Sequence, residues 1–296
     1  MLKNLSILVT GSEGLIGKEL SRKLEKRKIN VVGYDIKNGH DVLDQESLEK
    51  IICDIDGVIH LAAISRVIAG YNDPYKAVVT NVIGTTNILD IIRRKNPSCW
   101  MIFGSSREVY GESGCIVKES DPQKPVNVYG ATKSASEYLS LCYGNNYNLR
   151  TFVVRFSNVY GGLNDHPDRV VPRFFIQALA NSEITVYGGN QIFDFVHLTD
   201  AVDGLIKLIE KIINNEKLEY RTFHFITGKS TSLIELSKKI IKLTNSKSCV
   251  KYLQRREFDV DTFIGDPSVT MNVLNWRPKI SLDEGLREYL RLTKGR

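Results

Sequence analysis

Cysteine is sparse and scattered in this sequence. Its five residues, Cys53, Cys99, Cys115, Cys142 and Cys249, are odd in number and form no CxxC pair and no Cys/His cluster. That pattern argues against a disulfide framework and against a structural zinc site, and no metal is expected. No apolar run approaches the roughly 18 residues of a membrane span. Met1-Leu2-Lys3-Asn4 runs directly into a strand, so no signal peptide is expected. The setting these absences predict is the reducing, aqueous cytoplasm. Internal repeats and low-complexity tracts are missing too. The formal net charge of +6 suits an anionic ligand such as a diphosphate, and suits nucleic acid as well, so charge alone chooses neither. The basic residues are mostly scattered. One dense group, Arg22, Lys23, Lys26, Arg27 and Lys28, reads as a solvated helix end rather than a binding patch.

What is present is ordinary globular material: 296 residues, 42% hydrophobic and 25% charged, enough for one large α/β domain or one and a half. Short apolar runs alternate with amphipathic stretches. Strands are expected at 5–10, 30–35, 57–61, 99–104 and 148–155, with helices at 15–25, 47–53, 75–92 and 129–143. Runs of Ile, Val and Leu without alternation mean strands buried on both faces, hence a parallel sheet covered by helices. The alternation of β and α predicts a doubly wound sheet. After Gly161 the pattern changes. A loop follows, then a helix at 195–208 and a strand at 222–227 that rejoin the sheet, with helices at 233–243 and 281–292. The expected division is a dinucleotide-binding Rossmann domain of residues 1–161 with 194–227 returning to it. Residues 162–193 and 228–296 would form a smaller C-terminal α/β domain that binds substrate.

The first strand leads into Gly11-Ser12-Glu13-Gly14-Leu15-Ile16-Gly17 and then a helix. Gly11 permits the tight turn, Gly14 lets backbone approach a pyrophosphate, and Gly17 allows close helix–strand packing. The helix N-terminus offers free N–H groups to the anion. A glycine triad alone is weak evidence. Asp35 at the end of the second strand adds specificity, because a carboxylate there accepts ribose hydroxyls and repels a 2′-phosphate. The expected cofactor is NAD.

The glycine spacing resembles that of extended short-chain dehydrogenases, the NAD-dependent sugar-nucleotide epimerase and dehydratase family, and the likeness runs over nearly the whole chain. Val58-Ile59-His60-Leu61-Ala62-Ala63 resembles a strand-end motif whose small residues lie against the cofactor. Asp41-Val42 falls where that family holds the adenine. Asn81-Val82-Ile83-Gly84-Thr85-Thr86-Asn87 is similar to its long-helix motif, Asn158-Val159-Tyr160-Gly161 to its mid-chain substrate loop, and Asn275-Trp276-Arg277-Pro278 to its closing signature. The resemblance implies cofactor contacts from Glu13, Leu15, Ile16, Leu61, Ala62, Ala63 and Asn81 as well as from the glycines and Asp35.

Tyr129-Gly130-Ala131-Thr132-Lys133 sets Tyr129 and Lys133 four apart, on one helix face. A phenol near pKa 10 is a poor base at neutral pH, and an adjacent ammonium is expected to favour phenolate. The resemblance adds that Lys133 holds the nicotinamide ribose. It also makes Ser106, leaving the fourth strand, the hydroxyl that bonds the sugar oxygen together with Tyr129. Ser105 beside it and Asn158 are expected to border the sugar. The family's 4,6-dehydratases carry Asp-Glu where this chain has Arg107-Glu108. Arginine cannot lend a proton, which disfavours that reaction and leaves Glu108 either a supporting acid/base or a structural carboxylate paired with Arg107.

The family usually places arginine where this chain has Phe193, so one phosphate contact is missing. Arg256 or Arg255, with help from Arg173, is expected to replace it, and His197 reads as a packed residue. The leading reading is a sugar-nucleotide epimerase working through a transient 4-keto sugar. A 4-keto-sugar reductase and a dehydratase or decarboxylase using Glu108 stay open. From another class, a dinucleotide sensor or RNA-binding protein without catalysis has only the basic charge in its favour. By resemblance the subunit is expected to be a homodimer through helices 75–92 and 129–143, with contact drawn from Ala77, Val78, Val82, Ala135 and Leu139, some of which must instead face the subunit's own sheet.

Overall fold

The computed structural model describes residues 5–114 and 116–295. Cys115 and the expected leaderless start at Met1–Asn4 lie outside the described residues. The chain runs β1 (Ser6–Thr10), α1 (Leu15–Glu25), β2 (Asn30–Tyr34), α2 (Gln45–Ile52), β3 (Gly57–His60), α3 (Val67–Asn72), α4 (Pro74–Val78), α5 (Gly84–Lys95), β4 (Trp100–Ser106), α6 (Val128–Asn146) and β5 (Thr151–Phe156). Beyond these lie β6 (Asn158–Tyr160), α7 (Val170–Leu179), β7 (Ile184–Tyr187), β8 (Ile192–His197), α8 (Leu198–Ile213), β9 (Thr222–Phe225), β10 (Ser230–Ser232), α9 (Leu233–Thr244), β11 (Val250–Leu253), α10 (Ser268–Leu274) and α11 (Leu282–Lys294).

Six strands form one parallel sheet in the order β2-β1-β3-β4-β5-β9, a doubly wound Rossmann arrangement. The apolar runs at its centre are buried on both faces, as their lack of alternation requires. On one face Leu20 and Leu24 of α1 and Leu205 and Ile209 of α8 pack with Ile7, Val9 and Ile102. On the other, Leu48 and Ile52 of α2 and Ile88 and Ile92 of α5 pack with Leu8, Val58 and Met101. Each such side chain contributes about 1.5–3 kcal/mol on burial. A separate core gathers Phe174 and Phe175 of α7, Leu236 and Ile240 of α9, and Leu286 and Leu290 of α11. Two small sheets accompany it, β10-β8-β6 and β11-β7.

Two expectations need correction. Residues 195–197 belong to a strand, β8, paired with β6 and β10, and the helix begins only at Leu198. His197 caps that helix by accepting the Thr199 N–H, and Asp200 in its first turn suits the helix dipole. The helix expected over 75–92 is interrupted: Val79–Ile83 forms a wide π turn between α4 and α5. The apolar period continues across the interruption, so periodicity could not reveal it. The turn lets the Asn81 side chain reach inward to Thr132 of α6 at 2.8 Å.

Candidate active site

The C-terminal ends of the parallel strands open into a cleft of about 410 Å³, within the range of ligand sites. At one side β1 delivers Gly11, whose φ of +70° suits glycine. A Cβ on Gly11 would lie 2.7 Å from the Ala62 nitrogen, and one on Gly17 would lie 2.1 Å from the Gly11 oxygen. The loop and α1 therefore meet backbone to backbone. Gly14 caps α1 without any side-chain bond, so the first-turn N–H groups stay available to an anion. Asp35 is buried beside this loop. Its Oδ2 accepts the Glu13 N–H at 2.9 Å and its Oδ1 accepts the Lys37 N–H at 2.9 Å, which ties the carboxylate to the glycine turn. A tight glycine cradle, an uncapped helix end and a fixed carboxylate fit a dinucleotide.

Leu15, Ile16, Leu61 and Ala63 border the same cleft. The N–H groups of Leu61 and Ala62 both point to the Thr10 hydroxyl, at 3.2 Å each. Glu13, Asp35, Asp41, Val42, Ala62 and Asn81 of the expected cofactor residues are not among those lining it. The Asp41 carboxylate accepts the Leu43 N–H at 3.0 Å, and buried Val42 packs against Gly84. The Asn81 amide is spent inside the protein, accepting from the Ile64 N–H at 2.7 Å as well as donating to Thr132. Sequence reasoning assigned no role to His60, which lies between Thr10 and Thr85 at 2.7 and 3.0 Å. Burial, then the Lys133 charge, pushes its pKa down to about 3, so it stays neutral and structural.

At the reacting end, Ser106 closes β4, and Tyr129 and Lys133 sit one turn apart on α6, whose N-cap Asn127 accepts the Gly130 N–H at 2.8 Å. The Ser106 hydroxyl accepts the Glu108 N–H at 3.2 Å and lies near enough to the Tyr129 phenol to act on its pKa. The Lys133 ammonium donates to the Gly104 carbonyl at 2.8 Å and lies 4.8 Å from the Phe103 ring centre. Burial lowers its pKa to about 7, against the pull of the Glu137 carboxylate. Burial also pushes the Tyr129 phenol up to about 12. The Ser106 hydroxyl opposes this, the Glu108 charge adds to it, and the Arg169 and Arg107 charges oppose it. The sequence expectation that Lys133 would bring the phenol down is thus not met in this geometry, because desolvation outweighs the nearby charges.

Glu108 has both oxygens occupied: Oε1 pairs with Arg107 Nη2 at 2.8 Å and Oε2 accepts from Asn127 Nδ2 at 2.9 Å. Of the two roles left open for it, this geometry favours the structural carboxylate. Ser105 borders the cleft, but its hydroxyl donates to the Glu137 carboxylate, which also pairs with Arg155 at 2.7 Å. Asn158 borders the cleft and donates to the Asp194 carbonyl at 3.3 Å.

At the far end, Arg173 and Arg256 flank the Tyr187 ring, their guanidinium carbons 5.5 and 4.9 Å from its centre. Arg256 is paired with Asp259 at 2.7 Å, whereas Arg173 Nε is buried with no hydrogen-bond partner among the described residues. Arg255 turns away to Asp261 and Glu112, which selects Arg256 over Arg255 as the residue in the cleft. His197 is buried outside the cleft against Tyr160, in keeping with a packed residue. Two rim contacts had no sequence signal. Arg66 pairs with Asp168, and Tyr71 of α3 packs at a tilt against Phe258 with ring centres 4.4 Å apart.

Comparison with known proteins agrees with this geometry. Residues 7–221 match the model of the NAD dependent epimerase/dehydratase family. UDP-glucuronic acid decarboxylase 3 of Arabidopsis thaliana is 30% identical over 309 residues, which is 96% of this chain and 87% of that protein. The structure of UDP-glucose 4-epimerase from Thermotoga maritima with UDP-glucose superposes with a TM-score of 0.90 at 28% identity, over 98% of this chain and 100% of that one. UDP-glucuronic acid 4-epimerase from Bacillus cereus, in complex with UDP-glucuronic acid and NAD, gives 0.89 at 25% identity, over 99% and 100%. Glycine cradle, strand-end serine and the tyrosine–lysine pair thus lie in a chain that belongs to the NAD-dependent epimerase/dehydratase family.

Proposed function

We propose that this protein is a 4-epimerase of a nucleotide-activated sugar, acting through a transient 4-keto sugar. The observation that carries the reading is the convergence of Ser106, Tyr129 and Lys133 on the cleft that the glycine loop opens. Gly14, Leu15 and Ile16 at the start of α1 would hold the pyrophosphate of NAD, Asp35 a ribose, and Lys133 the nicotinamide ribose. NAD held there would supply the acceptor and donor for the hydride at C4, a redox-neutral chemistry that would consume no reductant. Burial keeps the Tyr129 phenol protonated at neutral pH, so it must first give up its own proton. As phenolate its Oη would take the proton of the sugar's O4 hydroxyl as the carbonyl forms and return it later, while the Ser106 hydroxyl bonds the same oxygen. Lys133, poised near neutrality, exchanges its own proton readily as the phenol changes charge. Arg173 and Arg256 supply the diphosphate contact. For inversion, the keto sugar must turn its other face before C4 is reduced.

Decarboxylation is the second reading, supported by the Arabidopsis relative, and shares the first oxidation. Glu108, already held by Arg107 and Asn127, weighs against an added acid/base step. Incubating the protein with NAD and a panel of UDP-hexoses and UDP-hexuronates separates the two. The 4-epimer is expected; a UDP-pentose, or no conversion, would overturn the reading.

The same reading includes a cytoplasmic homodimer. Among the described residues no helix is long and apolar enough to cross a membrane. Tyr75, Val78, Ile83 and Tyr138 are exposed on α4, the π turn and α6, the segments expected to pair. Ala77 is fully buried in its own subunit, one of the positions that face inward rather than the partner. Light scattering is expected to give twice the chain mass at micromolar concentration. A monomer mass would refute the dimer.

A further inference from the structure

Besides Arg173 and Arg256, which the proposed function assigns to the diphosphate, a further arginine lines the cleft. Arg173 and Arg256 meet at Tyr187. Arg107 follows Ser106 directly, and its charge is felt by the Tyr129 phenol. Arg107 is only 8% exposed and its guanidinium carbon lies over Phe193, 4.2 Å from the ring centre. Nη2 is committed to Glu108, and Asn127 holds Glu108 from its other oxygen. Nη1 borders no such partner. It is buried without a hydrogen bond among the described residues, although Arg107 lines the cleft.

A buried unpaired donor on a charged group costs stability, and in a folded protein it calls for a partner. Here the contact with Phe193 and the pairing with Glu108 fix the guanidinium and leave one corner of its fork free. A planar carboxylate suits such a fixed donor. Its position beside the serine and tyrosine that hold the reacting hydroxyl places that carboxylate on the sugar itself.

We infer that Arg107 is a specificity-determining residue, whose free Nη1 binds a carboxylate carried by the hexose, so that the substrates are nucleotide-activated hexuronic acids. This rests on the nucleotide-sugar reading above. Neutral hexoses would leave Nη1 buried and unpaired in the complex, a mismatch that a site built for hydrogen bonding penalises strongly.

The test is calorimetric titration of the NAD-saturated protein with UDP, UDP-glucose and UDP-glucuronate. Wild type is expected to bind UDP-glucuronate at least about tenfold tighter than UDP-glucose, the scale of one charge-assisted hydrogen bond. Arg107→Met should shrink that gap to about twofold while leaving UDP affinity within about twofold. If Arg107→Met does not fold, judged by NAD binding, Arg107→Gln carries the same expectation, because its amide can still reach Glu108. Equal wild-type affinity for the two sugars, with UDP bound, overturns the inference alone. An equal loss of UDP affinity in the variants also overturns it, by assigning Arg107 to the diphosphate. Failure of wild type to bind UDP at all brings down the nucleotide-sugar reading, and this inference with it.

Discussion

Replacing Lys133 by methionine should abolish turnover and yet raise thermal stability. The ammonium is 3% exposed, and burial lowers its pKa from 10.5 to about 7. At 1.36 kcal/mol per pKa unit, that corresponds to a ceiling of roughly 5 kcal/mol of destabilisation at and below neutral pH. Methionine keeps the length of the side chain without the charge. It forfeits the bond to the Gly104 carbonyl, an offset of about 1–3 kcal/mol. The net gain at low pH is therefore about 2–4 kcal/mol. The folded pKa lies below the unfolded one, so between about 7 and 10.5 the unfolded chain binds more protons. Wild-type stability contributed by this group must rise with pH through that window, and the variant's advantage must shrink. Melting curves of both proteins near pH 6 and near pH 9 measure this. Lys133→Met should melt several degrees higher near pH 6 and about level with wild type near pH 9, with turnover down by about 10²–10⁴-fold. A variant that melts lower than wild type near pH 6 would refute the reasoning, because it would mean that the buried ammonium stabilises the fold.

Three further substitutions probe the same cleft. Tyr129→Phe should cut turnover by about 10²–10⁴-fold with little change in melting temperature; near-full activity would remove the tyrosine from the chemistry. Asp35→Ala should narrow the preference for NAD over NADP, read by titrating both cofactors against both proteins, and equal affinities in wild type would contradict the role given to Asp35. Gly17→Ala puts a methyl group 2.1 Å from the Gly11 oxygen, which only a shift of α1 can relieve. It should cost about 1–3 kcal/mol or more and abolish NAD binding, whereas unchanged NAD affinity would show that the loop is not the cradle.

Much of the fold was legible because its signals are local. The glycine triad, the strand before it and α1 are contiguous, and α1 spans Leu15–Glu25 as the apolar spacing predicts. The Tyr129–Lys133 pair was equally legible, since four residues make one helical turn. What the spacing could not convey was the surroundings. Burial, not the lysine, governs the phenol, and burial depends on elements far away in sequence. The same holds for Asn81, whose family position suggested a cofactor contact while the π turn spends its amide on Ile64 and Thr132. Residues 195–197 of the strand Ile192–His197 read in sequence as the start of α8, because an apolar run of that length carries no period of its own. Arg107 could be seen to differ from a dehydratase acid, but its seat on Phe193 joins residues of β8 and the turn after β4, which only the tertiary structure brings together.

The central claim is that the sugar's own C4 hydrogen is removed and returned within one cleft. The direct measurement is to supply the NAD-loaded protein, without added reductant, with a UDP-hexuronate carrying deuterium at C4, and to follow the sugar by NMR and mass spectrometry. The account predicts the 4-epimer with deuterium retained at C4 and no net NADH. Loss of the deuterium, or product formed only from a 4-keto sugar with stoichiometric NADH, would contradict it.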